Sequence, residues 1–389
     1  MKKSFLFFGL LSASLLIGAC EKKFEFYYYT QEEYDVISRS LNLPDESINY
    51  TPKLPDHLTR AGLTSPTVKS AEATLGRVLF YDKNLSSDKT ISCASCHKQE
   101  IGFADDRRVS LGVESREGTR NSIALSSVAN FAAYYGTDLN GSFGIPFFWD
   151  NRAATASEQN IGSMTNPLEM NMKEHEIVDA VKNLDYYEPL FKKAFGSTEI
   201  TSDLVSRAIS SFVNAMGSYQ SRFDDAANTS NNGGWINYEA NFTQFSAAEN
   251  RGKALYINNC SSCHTASFGR PSKFYSNNGL DENYSDKGVG AITGISNEMG
   301  TFKVPTLRNI AITAPYMHDG RFATLSEVID HYSTGIKNTS NLGFELRDGS
   351  GNVKKMNFTA QDKEDLIAFF NTLTDEKFRT DVRFSNPFK

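Results

Sequence analysis

The chain has 389 residues and a formal net charge of −6, room for two or three domains. Its 40% hydrophobic and 22% charged content is that of an ordinary folded protein with a core. No basic cluster is present to follow a phosphate backbone, which excludes nucleic acid as the partner.

The first stretch, "MKKSFLFFGLLSASLLIGAC", has the order of a secretory signal. Lys2 and Lys3 lead, an apolar run follows from Phe5 to Ile17, and the small residues Gly18 and Ala19 close it. The run is short for a membrane span. Cys20 comes directly after "IGA" and reads as a lipidated first residue of the mature chain. Residues 1–19 are therefore assigned to a lipoprotein signal peptide and 20–65 to a lipidated tether or extension, since 21–60 shows no clear period. The expected location is the periplasm, on a bacterial membrane (the outer one) that the protein meets through its lipid alone.

Further along, "SPTVKSAEATLGRVLFYDKNLSSDKTISCASCH" carries a helix and then Cys93, Cys96 and His97. The stretch "NTSNNGGWIN" (228–237) is a loop. In "SAAENRGKALYINNCSSCH" the order recurs: Ser246 and Glu249 are spaced as a capping box, worth ~1 kcal/mol at a helix start, and the helix runs into Cys260, Cys263 and His264. Residues 266–300 and 338–356, rich in Gly, Ser and Asn, are predicted as long ordered loops. In "TLSEVIDHYSTG", Thr324 and Glu327 form another capping box. Leu325, Val328, Ile329 and Tyr332 then share one helical face, with His331 about 100° away from it. Leu366, Phe369, Phe370 and Leu373 give "TAQDKEDLIAFFNTL" a single apolar face.

Of five cysteines, Cys20 belongs to the signal, and the other four form two C-x-x-C pairs, each followed at once by histidine. That pattern attaches haem c. Two thiols on one turn can add to the two haem vinyl groups, and the next residue then presents an imidazole to the iron. A four-cysteine zinc site needs its pairs about fifteen to twenty residues apart, and here 163 residues separate them. Two copies in an exported chain also outweigh two local redox pairs. The predicted fold is all-α, with two cytochrome c-like haem domains and long loops, spanning 66–227 and 238–389.

The motifs "LGRVLFYDKNLSSDKTISCASCH", "GTRNS", "FFWDNRA", "EQ", "NPLEM", "CSSCH", "FKVPTLRNIAITAPYMHDGRF" and "TLSEVIDHY" follow one another in order. Residues ~70 to ~335 thereby resemble the bacterial di-haem cytochrome c peroxidases, a group that includes a methylamine-utilisation relative oxidising tryptophans in another protein. The resemblance implies that hydrogen peroxide reacts at the N-terminal haem and that electrons enter through the C-terminal one. It implies that Trp149 lies between the haems, and that Gln159 and Glu169 stand over the peroxide-binding iron. Asn121, Thr313 and Pro315 match the family's calcium site, a sensible place for a hard cation with oxygen ligands.

Two positions depart from the pattern. Many relatives carry a blocking histidine on the loop after the first haem motif. Here Val113 holds that place, and residues 98–121 contain neither histidine nor methionine. An open or water-occupied iron is therefore expected, as reaction with peroxide requires. His57, His175, His318 and His331 are the remaining histidines. At the second haem, Tyr332 replaces the family's methionine. Three readings stay open: Tyr332 ligates the iron; Tyr332 is core and water, Met299 or Met317 ligates; or His331 ligates. The leading function is reduction of peroxide to water by a small periplasmic donor, a cytochrome c or a cupredoxin. The alternatives are peroxide-driven oxidation of aromatic side chains on a partner protein, and plain electron transfer.

Overall fold

The two helices that lead into the C-x-x-C-H motifs cross a partner in the same way. Helix Ser70–Tyr81 lies against Ser202–Asn214, and helix Ala247–Asn259 against Ala360–Asn371. Each crossing needs a glycine, because a Cβ on Gly76 would stand 1.9 Å from the Ala208 carbonyl oxygen and one on Gly252 1.9 Å from that of Asp365. Gly252→Ala must therefore push the helices apart. We expect a stability loss of about 1–3 kcal/mol, the usual cost of overpacking, read as a lower urea midpoint. An unchanged midpoint would contradict so close a crossing.

This computed structural model describes residues 28–126, 128, 146–232 and 235–389. The signal at 1–19 and Cys20 lie outside the described residues. Helices dominate what is described. The only strands there form two small antiparallel pairs, Asn231–Asn232 with Trp235–Ile236 and Tyr275–Ser276 with Phe302–Lys303. No helix of the described residues is long and apolar enough to cross a membrane. The capping boxes at Ser246, Thr324 and a further one at Thr359 are all formed, each satisfying backbone donors that the first helical turn would leave open.

One core gathers Leu75, Val78, Leu79 and Phe80 with Ile209, Phe212 and Val213; a second gathers Tyr256, Phe223 and Phe268 with Leu366, Phe369, Phe370 and Leu373. Leu366, Phe369, Phe370 and Leu373, the face predicted from "LIAFFNTL", are all buried there.

Both ends of the described chain cross to the first core. Thr30 and Glu33 cap helix Gln31–Ser40, and Tyr29, Ile37, Leu41, Leu43 and Tyr50 are buried in that core. The part of the tether from residue 28 is thus folded onto the body, and its capping box was readable in "TQEE". Past the second core, Phe378 and Phe384 also enter the first one. The Phe384 carbonyl accepts from Tyr81 Oη at 2.7 Å, and the Asp381 carbonyl accepts from Gln99 Nε2 at 2.9 Å. The C-terminal tail so braces the segment just after the first haem motif.

Candidate functional site

Each C-x-x-C-H motif opens into its own cavity. The first is walled by Cys93, Cys96 and His97 with Gln159, Ser163, Asn166 and Glu169; the second by Cys260, Cys263 and His264 with Asn278, Met317 and Tyr332. Atom-free space, open mouths included, measures about 1550 Å³ in the first and about 1580 Å³ in the second. None of the four cysteines is in a disulfide, and each pair sits at a short helical turn. Burial pushes Cys93 and Cys260 up to about 12, so neither is a preformed thiolate.

The two histidines are held alike. His97 Nδ1 donates to the Phe103 carbonyl and His264 Nδ1 to the Pro305 carbonyl, both at 3.0 Å. A carbonyl can only accept, so Nε2 is left with its lone pair for a metal. Burial lowers the pKa of both rings, that of His264 to about 4. Both are therefore neutral, as an iron ligand must be. Two thiols, a correctly oriented imidazole and a large apolar space fit a haem c in each cavity.

In the first cavity a polar chain faces the motif. Gln159 Nε2 donates to Ser163 Oγ at 3.0 Å, Ser163 hydrogen-bonds Glu169, and Asn166 Nδ2 donates to Glu169 Oε1 at 2.7 Å. Burial raises the Glu169 pKa against the opposing hydrogen bonds of Ser163 and Asn166 and the nearby charge of Arg152. The loop after the haem motif is tied to the same residue, since Val113 N–H donates to the Glu169 carbonyl at 2.9 Å. Val113 itself is fully buried and off the cavity wall. His97 is the one histidine on that wall among the described residues. His57 is engaged elsewhere, with Asp224 and Tyr238, and His175 is exposed at the start of helix Glu174–Lys182. Met164 and Met170 also reach the wall, as members of the first core.

Trp149 lines both cavities. Its Nε1 donates to the Asn121 carbonyl at 2.7 Å, and Asn121 N–H donates to the His318 carbonyl at 2.8 Å. Arg120 adds an ionic tie between the halves, pairing with Asp150 at 2.6 Å and Asp286 at 2.8 Å.

The family sequence profile described as di-haem cytochrome c peroxidase matches residues 70–232, and that described as cytochrome c matches 249–374. Cytochrome c551 peroxidase of Nitrosomonas europaea is 34% identical over 264 residues, 66% of this chain and 71% of the relative. The chain belongs to the di-haem cytochrome c peroxidase family. It is also similar to the methylamine utilization protein MauG of Methylophilus methylotrophus, at 29% over 325 residues, 82% of this chain and 87% of that one. Among solved structures, a MauG-like protein associated with microbial copper homeostasis superposes with a TM-score of 0.68 at 31% identity. It covers 89% of this chain and 98% of its own.

Within this di-haem peroxidase framework the second cavity narrows the ligand readings. Leu325, Val328, Ile329 and Tyr332 all line it, the face predicted from sequence. Tyr332 stands on a π-helical turn, His331–Gly335, of the kind found often at functional sites. His331 and Met299 are off the wall, and His331 Nε2 is bonded to the Asn278 carbonyl at 2.9 Å. Met317 remains beside Tyr332: Asn278 Nδ2 lies 3.4 Å from Met317 Sδ and 3.5 Å from Tyr332 Oη. Met356, which the sequence reading did not consider, also lines the cavity. Asn121, Thr313 and Pro315 come together on its wall. They offer neutral oxygens, which suit a hard cation in kind, while the Asn121 amide N–H groups donate to the Arg107 and Arg108 carbonyls. No cluster of three or more acidic, histidine or cysteine residues accompanies them among the described residues. Ser163, Asn278 and Lys303 were also missed. Lys303 stood in the quoted "FKVPTLRN", where nothing local separates a buried lysine from an exposed one.

Proposed function

We propose that this protein reduces hydrogen peroxide to water with electrons from a small periplasmic donor, peroxide reacting in the Glu169 cavity and electrons entering on the Tyr332 side. The observation that carries the reading is the first cavity: a free-faced C-x-x-C-H histidine opposite Gln159, Ser163 and Glu169. Two haem c groups, held through Cys93, Cys96 and His97 and through Cys260, Cys263 and His264, supply the redox chemistry when bound. The Glu169 carboxylate takes a proton from peroxide and returns it to the departing oxygen, while the Gln159 amide orients the substrate. Overall, two electrons and two protons convert one peroxide to two waters. Trp149, on both walls, carries charge between the cavities. The signal and Cys20 would hold the enzyme in the periplasm on a lipid anchor.

A second reading is favoured by Tyr332. An anionic tyrosinate stabilises oxidised iron, which suits sharing oxidising equivalents and hence peroxide-driven oxidation of aromatic side chains on a partner protein. The ferric spectrum tests the open site: one high-spin haem is expected, and two low-spin haems would leave only electron transfer. Steady-state turnover with peroxide and a reduced cytochrome c or cupredoxin then separates peroxidase from protein oxidant. Tyr332→Met should raise the potential of the second haem, because methionine ligation does so. A redox titration with both midpoints unchanged would remove Tyr332 as a ligand.

A further inference from the structure

His57 stands between two groups that the peroxide chemistry does not use. Its ring is buried, with Nε2 2.8 Å from Asp224 Oδ1 and Nδ1 3.1 Å from Tyr238 Oη. Burial opposes ionisation of Asp224, but the Arg308 charge and the His57 hydrogen bond hold its pKa well below the carboxylate range. The carboxylate can therefore only accept. Burial lowers the His57 pKa against the pull of Asp224, so the ring is neutral and carries one proton. That proton sits on Nε2, towards Asp224. Nδ1 is left with its lone pair, and the Tyr238 hydroxyl donates to it. A phenol bonded to a free base can lose an electron and a proton together.

A row of rings leads from Tyr238 to the second haem motif. Tyr256 stands one helical turn before Cys260, and its Oη donates at 2.6 Å to the carbonyl of Thr265, the residue after His264. The Tyr256 and Phe268 ring centroids are 4.8 Å apart, those of Phe268 and Phe223 4.8 Å, and Phe223 stacks on Tyr238 at 6.3 Å. Tyr256, Phe268 and Phe223 are buried, and Tyr238 is half-buried at the outer end. The Tyr256 hydroxyl faces only a carbonyl, which does not take the proton that an oxidised phenol sheds. Of the two tyrosines, Tyr238 is the one placed to rest as a neutral radical.

We propose that Tyr238 is a redox-active tyrosine that gives one electron to the second haem, with His57 as its proton acceptor. The electron passes along the rings to the oxidising equivalents that peroxide leaves on the haems, which are reduced by one. The O–H bond of Tyr238 breaks, and its proton bonds to His57 Nδ1. A neutral tyrosyl radical remains beside an imidazolium that Asp224 pairs with. The phenylalanines are not oxidised; they fill the gap through which the electron tunnels. The proposal rests on haem c in the second cavity and on the peroxide reaction proposed above.

Freeze-quenched electron paramagnetic resonance of the two-haem protein, mixed with peroxide without a donor, tests it. The wild type should give a tyrosyl signal that narrows when its tyrosines are ring-deuterated. Tyr238→Phe should lose that signal. His57→Gln should lose it too, because an amide can still bond Asp224 but cannot take a proton. No tyrosyl signal in the wild type, or one that persists in either variant, overturns the proposal. Should His57→Gln fail to fold with two haems, high-field spectra of the wild type decide. The g-tensor of a hydrogen-bonded tyrosyl is expected, and that of an unbonded one overturns it. The Soret change in the same samples reads the peroxide reaction separately. If peroxide leaves the Soret band unchanged, the peroxidase reading fails, and photogenerated ruthenium(III) tris-bipyridine replaces peroxide as the oxidant. The Tyr238 radical is then still expected, and its absence overturns the proposal.

Discussion

Glu169→Gln lowers the rate of reaction with peroxide by ~10²–10⁴-fold, the usual contribution of a positioned general acid–base, while both haems stay attached. The amide fills the same space and can still hydrogen-bond Asn166, but it cannot accept a proton. The same carboxyl governs pH dependence. Burial raises its pKa above the usual 4.5, and only the ionised form takes a proton from peroxide. The wild-type rate should therefore fall as pH is lowered through that raised value, and the variant should lack this limb. Stopped-flow measurement of the Soret change at several pH values reads both effects. Full activity in the variant would remove Glu169 from the mechanism.

Asp224→Ala has the largest expected effect on stability. Asp224 and Arg308 are each 1% exposed, and the guanidinium meets the carboxylate through two nitrogens at 2.8 and 2.9 Å. His57 Nε2 lies 2.8 Å from Asp224 Oδ1, and Ser221 Oγ donates to Oδ2 at 2.7 Å. Burial acts to raise the Asp224 pKa, yet the Arg308 charge and the His57 hydrogen bond hold it well below the carboxylate range. Removing the carboxylate strands Arg308 in the interior, at a cost of about 3–5 kcal/mol. It also removes one of the ties that His57 makes from the 56–60 helix, leaving those to Tyr238 and Asn228. Equilibrium urea unfolding should show this, and a loss under about 1 kcal/mol would be incompatible with a broken buried pair. Because the folded pKa is depressed, the stability this group adds is complete above its unfolded pKa of about 3.9. It is lost as pH falls from there towards the folded pKa.

The two residues differ in where their partners lie: Glu169 bonds Asn166, three residues back, while Asp224 meets groups far away in the chain. Glu169 could be singled out from "NPLEM" through a family resemblance, but its raised pKa comes from burial in the folded chain, which outweighs the opposing hydrogen bonds of Ser163 and Asn166. Asp224 was invisible, because nothing near it in sequence announces His57, 167 positions earlier, or Arg308, 84 later. The long loops were legible as irregular and Gly-rich. Their contribution to the second cavity, through Asn278 and Met356, was not.

What the sequence alone determined about this protein is local chemistry. Two thiols and an imidazole on one turn define each haem attachment, and a serine or threonine three residues before an acid starts the helices that follow Ser246 and Thr324. The period of Leu325, Val328, Ile329 and Tyr332 likewise presents one face whatever it packs against. The tertiary structure decided which side chains share a wall. It put Tyr332 and Met317 on the second cavity and His331 and Met299 off it. It folded residues 28–50 and 376–389 onto the first core, and it set Trp149 and Lys303 between the cavities. These outcomes depend on packing between segments up to 351 residues apart, and hydrophobic burial is non-directional. No short pattern of residue types can encode which distant surface a side chain will meet.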